Sequence, residues 1–226
     1  MNSTIARLTA VNSLRKWRGV LLALLPAAML LLAFAIRALA GDDENFAVGA
    51  LETIAMGAVV PLVALIVATG AISTEIDDGA IVYLLTKPIP RWKISLTKLA
   101  VAVGSALVFG VIPTAIAAII LTGEIGAVTL GFAVAAVIAS LVYCAVFLVL
   151  GVLSRSAVVI GLMYVLLWEH LIAGLVDGAK ILSVQHLATS IASGMYDVLP
   201  SAVDVAVAAA ISAVVAAAAA WYAGRR

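Results

Sequence analysis

Six runs of twenty or more mostly apolar residues leave this chain few folds to choose from. They cover residues 20–40, 47–72, 94–122, 127–153, 157–176 and 202–223. A helix that crosses the hydrocarbon core of a bilayer needs about 20 such residues, and it pairs its backbone polar groups within itself. Strands of a membrane barrel alternate apolar and polar residues, and these runs do not. The expected fold is therefore an all-α polytopic membrane protein with six transmembrane helices. Composition agrees: 65% of residues are hydrophobic and 11% charged, against about one quarter charged in soluble domains. A soluble globular domain and a disordered chain are excluded. A net charge of +1 gives no bulk basic surface for nucleic acid. The one cysteine, Cys144, lies in the fourth run, which excludes an intrachain disulfide and a cysteine zinc site. The segments between runs are too short for a second domain, so residues 1–226 read as a single membrane domain.

Orientation follows from the basic residues. With the N-terminus inside, Arg7, Arg15, Lys16, Arg18, Lys87, Arg91, Lys93, Lys98, Arg155, Arg225 and Arg226 all fall at the inner face, leaving Arg37 and Lys180 outside. Both termini are then cytoplasmic. In residues 1–18, Ile5, Leu8, Val11, Leu14 and Trp17 recur roughly every three positions. They read as an amphipathic helix lying on the inner membrane surface, with a basic topology-setting tail as the plainer alternative. Ala38-Leu39-Ala40 has the form of a signal-peptidase site, but the preceding run is longer than a signal-peptide core, so it is read as a retained span.

The most informative stretch is 73–98, STEIDDGAIVYLLTKPIPRWKISLTK, on the cytoplasmic side between spans two and three. Thr74 with Asp77 has the form of a capping box, and Glu75, Asp77 and Asp78 place acids at the positive end of a helix dipole. Ile76, Ala80, Tyr83 and Leu84 form one apolar face. Pro88 and Pro90 end that helix, and Arg91, Trp92 and Lys93 mark the return to the membrane. A short helix presenting Tyr83, Leu84 and Leu85 fits a docking surface for a partner, and it equally fits a helix that dips into lipid.

These residues resemble a known family. Glu75, Gly79, Leu84-Leu85, Pro88, Arg91 and Lys98 follow the pattern of type 2 permease subunits of ATP-binding-cassette exporters. The six-span topology and the span-five run Tyr164-Val165-Leu166-Leu167-Trp168-Glu169 are also similar to that family. The resemblance implies that the segment 73–93 is a coupling helix, with Glu75, Asp78, Gly79, Tyr83, Leu84, Leu85, Pro88 and Arg91 docking onto a nucleotide-binding subunit. The chain has no G-x-x-x-x-G-K-[ST] loop, so the resemblance implies a permease that is not itself an enzyme. ATP and Mg would be bound by the partner ATPase, with no cofactor in this chain. A second permease chain, identical or related, would complete the pore in a bacterial inner membrane.

Glu169 and His170 are ionisable residues near the middle of the fifth run. A charge there costs about 2.5–3.5 kcal/mol on insertion scales, so Glu169 is expected to face protein or water. It either lines a translocation path or makes an interhelical hydrogen bond, for example with Tyr164. Pro26, Pro61 and Pro113 are expected to bend spans one to three, and Gly174-x-x-x-Gly178 could be a close-packing site. The 177–200 segment carries apolar residues at helical spacing and is expected to form one or two short extracellular helices at, or re-entering, the outer leaflet. Two other classes compete. A secondary transporter would use Glu169 and His170. An intramembrane serine protease would use Ser193 in Ile191-Ala192-Ser193-Gly194 with His170 or His186 as base.

Overall fold

The first five apolar runs are helices, because a segment with no water to bond must satisfy its own backbone. The computed structural model describes residues 17–41, 43–77, 91–154, 156–172 and 183–196, and among these there is no strand. Helix α1 is Trp17–Ala40. Helix α2 covers 44–77, joining Glu44–Ala50, a π-helical stretch Leu51–Val59 and Val60–Asp77. Helix α3 covers 91–122, with a π-helical stretch Leu107–Val111 between Arg91–Ala106 and Ile112–Thr122. Helix α4 is Ala127–Leu153. Helix α5 covers 157–172, of which Tyr164–Ile172 is π-helical. Helix α6 is Val184–Tyr196. Among the described residues, α1 to α4 are long and apolar enough to cross a membrane, and the apolar part of α5, Ala157–Glu169, is shorter. Residues 1–16 of the expected surface helix, the middle of the coupling segment, the Gly174/Gly178 pair and the sixth span lie outside the described residues, and Trp17 and Arg18 begin α1.

Helix α4 is the hub, packing against α2, α3, α5 and α6. Its contact face is lined with small residues: Ala135, Ala136 and Ala139 are buried, as are Ala64, Ala68 and Ala71 of α2. Small side chains let helix backbones approach closely, which is where membrane helices gain their packing energy. The outside of the bundle is correspondingly apolar. Leu31, Phe34 and Val159 are each more than 60% exposed, an arrangement that suits lipid rather than water. Phe147 connects α4 to α5, stacking on Tyr143 with centroids 5.7 Å apart and meeting Tyr164 edge-on at 6.3 Å.

Two of the three expected proline effects take a definite form. The π stretches of α2 and α3 end two residues before Pro61 and Pro113. The last donors before each ring, Val60 and Ile112, bond five residues back, to the carbonyls of Ala55 and Leu107. A proline ring crowds the carbonyl four residues earlier, and a wider turn relieves that crowding.

The capping expectation at Thr74 does not hold. Helix α2 runs unbroken through Thr74 to Asp77, so Thr74 is inside a helix and not at its start. The hydrophobic run ends near Ile72, but helical hydrogen bonding continues past it, since nothing in Ser73-Thr74-Glu75 forbids helix.

At the other end of the bundle, α3 and α4 are joined by a tight turn. Gly123 has φ +78°, and its N–H donates to the Ile119 carbonyl at 2.8 Å, closing α3 in a left-handed cap. Arg37, at the end of α1, donates from Nη1 to the Leu121 carbonyl at 2.8 Å. That contact places a cation at the negative end of α3 and ties α1 to it.

Candidate functional site

The residues expected to couple the chain to a partner lie between α2 and α3. Glu75 is in the last turns of α2 and Arg91 begins α3. The two helices run antiparallel and pack against each other, so Asp77 and Arg91 lie at the end of the bundle opposite Gly123. Asp78, Gly79, Tyr83, Leu84, Leu85 and Pro88 fall outside the described residues, so their mutual arrangement is not part of the geometry.

The densest polar constellation is inside the bundle, around Glu169 in the π stretch of α5. The side chain is 5% exposed. Four donors converge on it. The Ser183 hydroxyl donates to Oε2 at 2.5 Å and the Gln185 N–H to the same oxygen at 3.3 Å. The Val184 N–H and the Tyr164 hydroxyl donate to Oε1 at 3.1 and 3.4 Å. Tyr164 and Glu169 are five residues apart, a spacing that the π turn brings round to one face. From α4 the buried Tyr143 hydroxyl approaches the same carboxylate without closing a hydrogen bond of ordinary length.

Three of these donors belong to the start of α6, where the first N–H groups of any helix lack internal partners. Ser183 stands at the cap position. Its Oγ accepts from the His186 N–H at 3.1 Å while its proton goes to Glu169, and its carbonyl accepts from Leu187 at 3.1 Å. The amides of residues 184 to 187 are thus all satisfied, two of them by a carboxylate from another helix. Negative charge there also complements the helix dipole. Farther along α6, Val184, Ala188, Ile191 and Ala192 are buried in the bundle. The opposite stripe is polar, and its hydroxyls return to the backbone: Thr189 and Ser190 donate to the His186 carbonyl, Ser193 to that of Ser190.

Depth follows from which residues meet. Near its far end α6 touches Gly131 of α4, where a Cβ would meet the Ala192 carbonyl oxygen at 2.8 Å. Its start, Val184, lies eight residues or about 12 Å before Ala192, and is bound by the Glu169 carboxylate that Tyr143, further along α4, also approaches. Helix α6 therefore rises from the interior of the bundle toward the Gly123 end, antiparallel to α4. Its N-terminus is in the interior of the bundle. A second tie reaches α2. Gln185 Nε2 donates to the Glu52 carbonyl at 3.4 Å and lies over Gly57, both in the π stretch of α2. His186, exposed, is within electrostatic range of the half-buried Glu52 side chain.

Glu169 was visible in the sequence as a charge in a span; the roles of Ser183 and Gln185 were not. One signal for Ser183 was present: a serine immediately before the helical pattern Val184, Ala188, Ile191, Ala192 is a cap signature. His170 shares the π stretch with Glu169. Among the described residues there is no group of three His, Cys, Asp or Glu that could hold a metal ion.

A comparison of the chain with protein families now decides what kind of bundle this is. The family described as ABC-2 family transporter protein matches residues 14–184, from before α1 to the first residue of α6. The chain belongs to the ABC-2 transporter family, the type 2 permeases of ATP-binding-cassette systems. No curated protein matches the chain significantly. As an ABC-2 transporter protein it is a membrane protein whose helices α1 to α5, the segment between α2 and α3, and the Glu169–Ser183 contact all fall within the matched region.

Proposed function

We propose that this chain is the membrane-spanning permease subunit of an ATP-binding-cassette exporter, coupled to a separate ATPase through the 75–91 segment. The family match over residues 14–184 carries the reading. In this reading there are six spans with both termini in the cytoplasm of a bacterial cell, and the Gly123 end faces outside. Two permease chains enclose the translocation path, and two ATPase chains dock beneath them and bind ATP and Mg. Closure of the ATPases moves the coupling segments, and the helices anchored on them tilt as rigid bodies between two packed arrangements. The antiparallel pair α2 and α3 supports this, since both helices carry a displacement of their shared end directly into the bundle.

Two contacts support this reading over its rivals. All four donors around Glu169 come from the protein itself, so the carboxylate is engaged in structure rather than presented to a transported ion. The Ser193 hydroxyl is engaged by the Ser190 carbonyl at 3.0 Å. The decisive experiment is co-purification with the cognate ATPase after Leu84→Asp or Leu85→Asp. Both variants are expected to insert normally, to lose the ATPase and to lose transport. Retention of the ATPase at wild-type levels would show that the 75–91 segment is not the coupling element.

A further inference from the structure

We propose that Glu169 is a positioning residue that makes α6 a stationary wall of the permeation unit instead of a lid that opens and closes. The inference goes beyond the permease reading and rests on three separate ties. The carboxylate binds the start of α6 to α5 through Ser183, Val184 and Gln185. Gln185 binds it to the π stretch of α2. Gly131 lets the far end of α6 seat directly on the backbone of α4.

The chemistry at Glu169 explains why this attachment is permanent. A helix that begins in the bundle interior exposes N–H groups to a medium without water, and each must find an acceptor. Here the acceptor is supplied from α5, and every group facing the carboxylate is a donor. Sliding α6 outward would leave the Val184 and Gln185 amides and the Ser183 hydroxyl without their acceptor. It would also leave the carboxylate in the bundle interior with only Tyr164 remaining of its four donors, which is costlier still. A lid needs the reverse: few buried ties and an N-terminus that water can reach. The start of a half-helix near the bilayer midplane is also a natural place for an anionic group. In this chain Glu169 already occupies it, so the wall presents its polar stripe of His186, Thr189, Ser190 and Ser193 to whatever passes, and not its dipole.

The test is amide hydrogen exchange on the full chain in lipid nanodiscs, read at residues 184–187 with the ordinary surface cap at Asn45 and Phe46 as internal reference. In the wild type the 184–187 amides are expected to be strongly protected. Ser183→Ala keeps Glu169 and is expected to raise their exchange about tenfold; Glu169→Ala raises it further, and neither changes Asn45 or Phe46. In the complex with its ATPase, protection at 184–187 is expected to stay within about threefold between nucleotide-free and ATP-bound states. Wild-type exchange at 184–187 as fast as at the reference cap, or a tenfold change on binding ATP, overturns the stationary wall. Failure to recover any ATPase complex would count against the permease reading alone, because the nanodisc comparison needs no partner.

Discussion

Replacing Glu169 with glutamine removes a charge while keeping the side chain's size, which makes it the sharpest probe of the interior contact. The carboxylate uses both oxygens as acceptors, and its two shortest bonds are on different oxygens: Ser183 on Oε2 at 2.5 Å and Val184 on Oε1 at 3.1 Å. A glutamine has one oxygen, so one side must present N–H groups to donors. In the less costly orientation the amide oxygen keeps Val184 and Tyr164. The NH₂ then points at the Ser183 hydroxyl, which can turn to accept, and at the Gln185 N–H, which cannot. The net loss is one charge-assisted bond plus a mismatched weak one, about 2 kcal/mol. For a domain of this size that lowers the melting temperature by roughly 4–8 °C. Glu169→Ala strips the acceptor from two amides and two hydroxyls, so about 4 kcal/mol and twice the shift are expected. Cys144 is the only cysteine and is fully buried in α4. A fluorogenic maleimide therefore reports melting directly, by reacting only when the bundle opens. If Glu169→Gln melts within about 1 °C of wild type, or as low as Glu169→Ala, the all-donor geometry is not what holds α6.

Other outcomes follow from the same contacts. Gly131→Ala introduces a Cβ 2.8 Å from the Ala192 carbonyl oxygen, and a backbone atom cannot swing away, so about 1–3 kcal/mol is lost in the maleimide melt. Gln185→Ala removes the bond to the Glu52 carbonyl and is milder, about 1 kcal/mol, because the π turn of α2 keeps its other bonds. Arg37→Ala frees the Leu121 carbonyl at the end of α3, and a loss of about 1–2 kcal/mol is expected, visible as faster exchange of the Gly123 amide. Gln in place of Arg37 is expected to recover part of it, since an amide can still donate to that carbonyl.

What could be read in advance divides cleanly by the range of the interaction. The spans were legible because membrane insertion is a property of a local run: residues 127–153 were marked out by hydrophobicity, and they are α4 to the residue. Helix α6 was legible for the same reason, from apolar residues at helical spacing. The segment around Thr74 misled because polarity marks where lipid ends, which is not where a helix must end. Glu169 was legible as an anomaly but not as an answer. A carboxylate in a span must find partners; which partners depends on what folds against it, fourteen to sixteen residues along the chain.

The order of residues alone placed this chain in a membrane, marked the stretches apolar enough to be candidate spans, and pointed to 75–98 as the segment that resembles the family's coupling pattern. Those are statements about stretches of 20 residues or so and about a linear motif, and no neighbour is needed to make them. Tertiary structure alone decided that α6 starts in the bundle interior, that Ser183 and Glu169 meet there, and that Gln185 reaches the widened turn of α2. The physical reason is the absence of water. In a dry interior each polar group must be matched by another, and the identity of that partner is settled only when helices distant in the sequence come into contact.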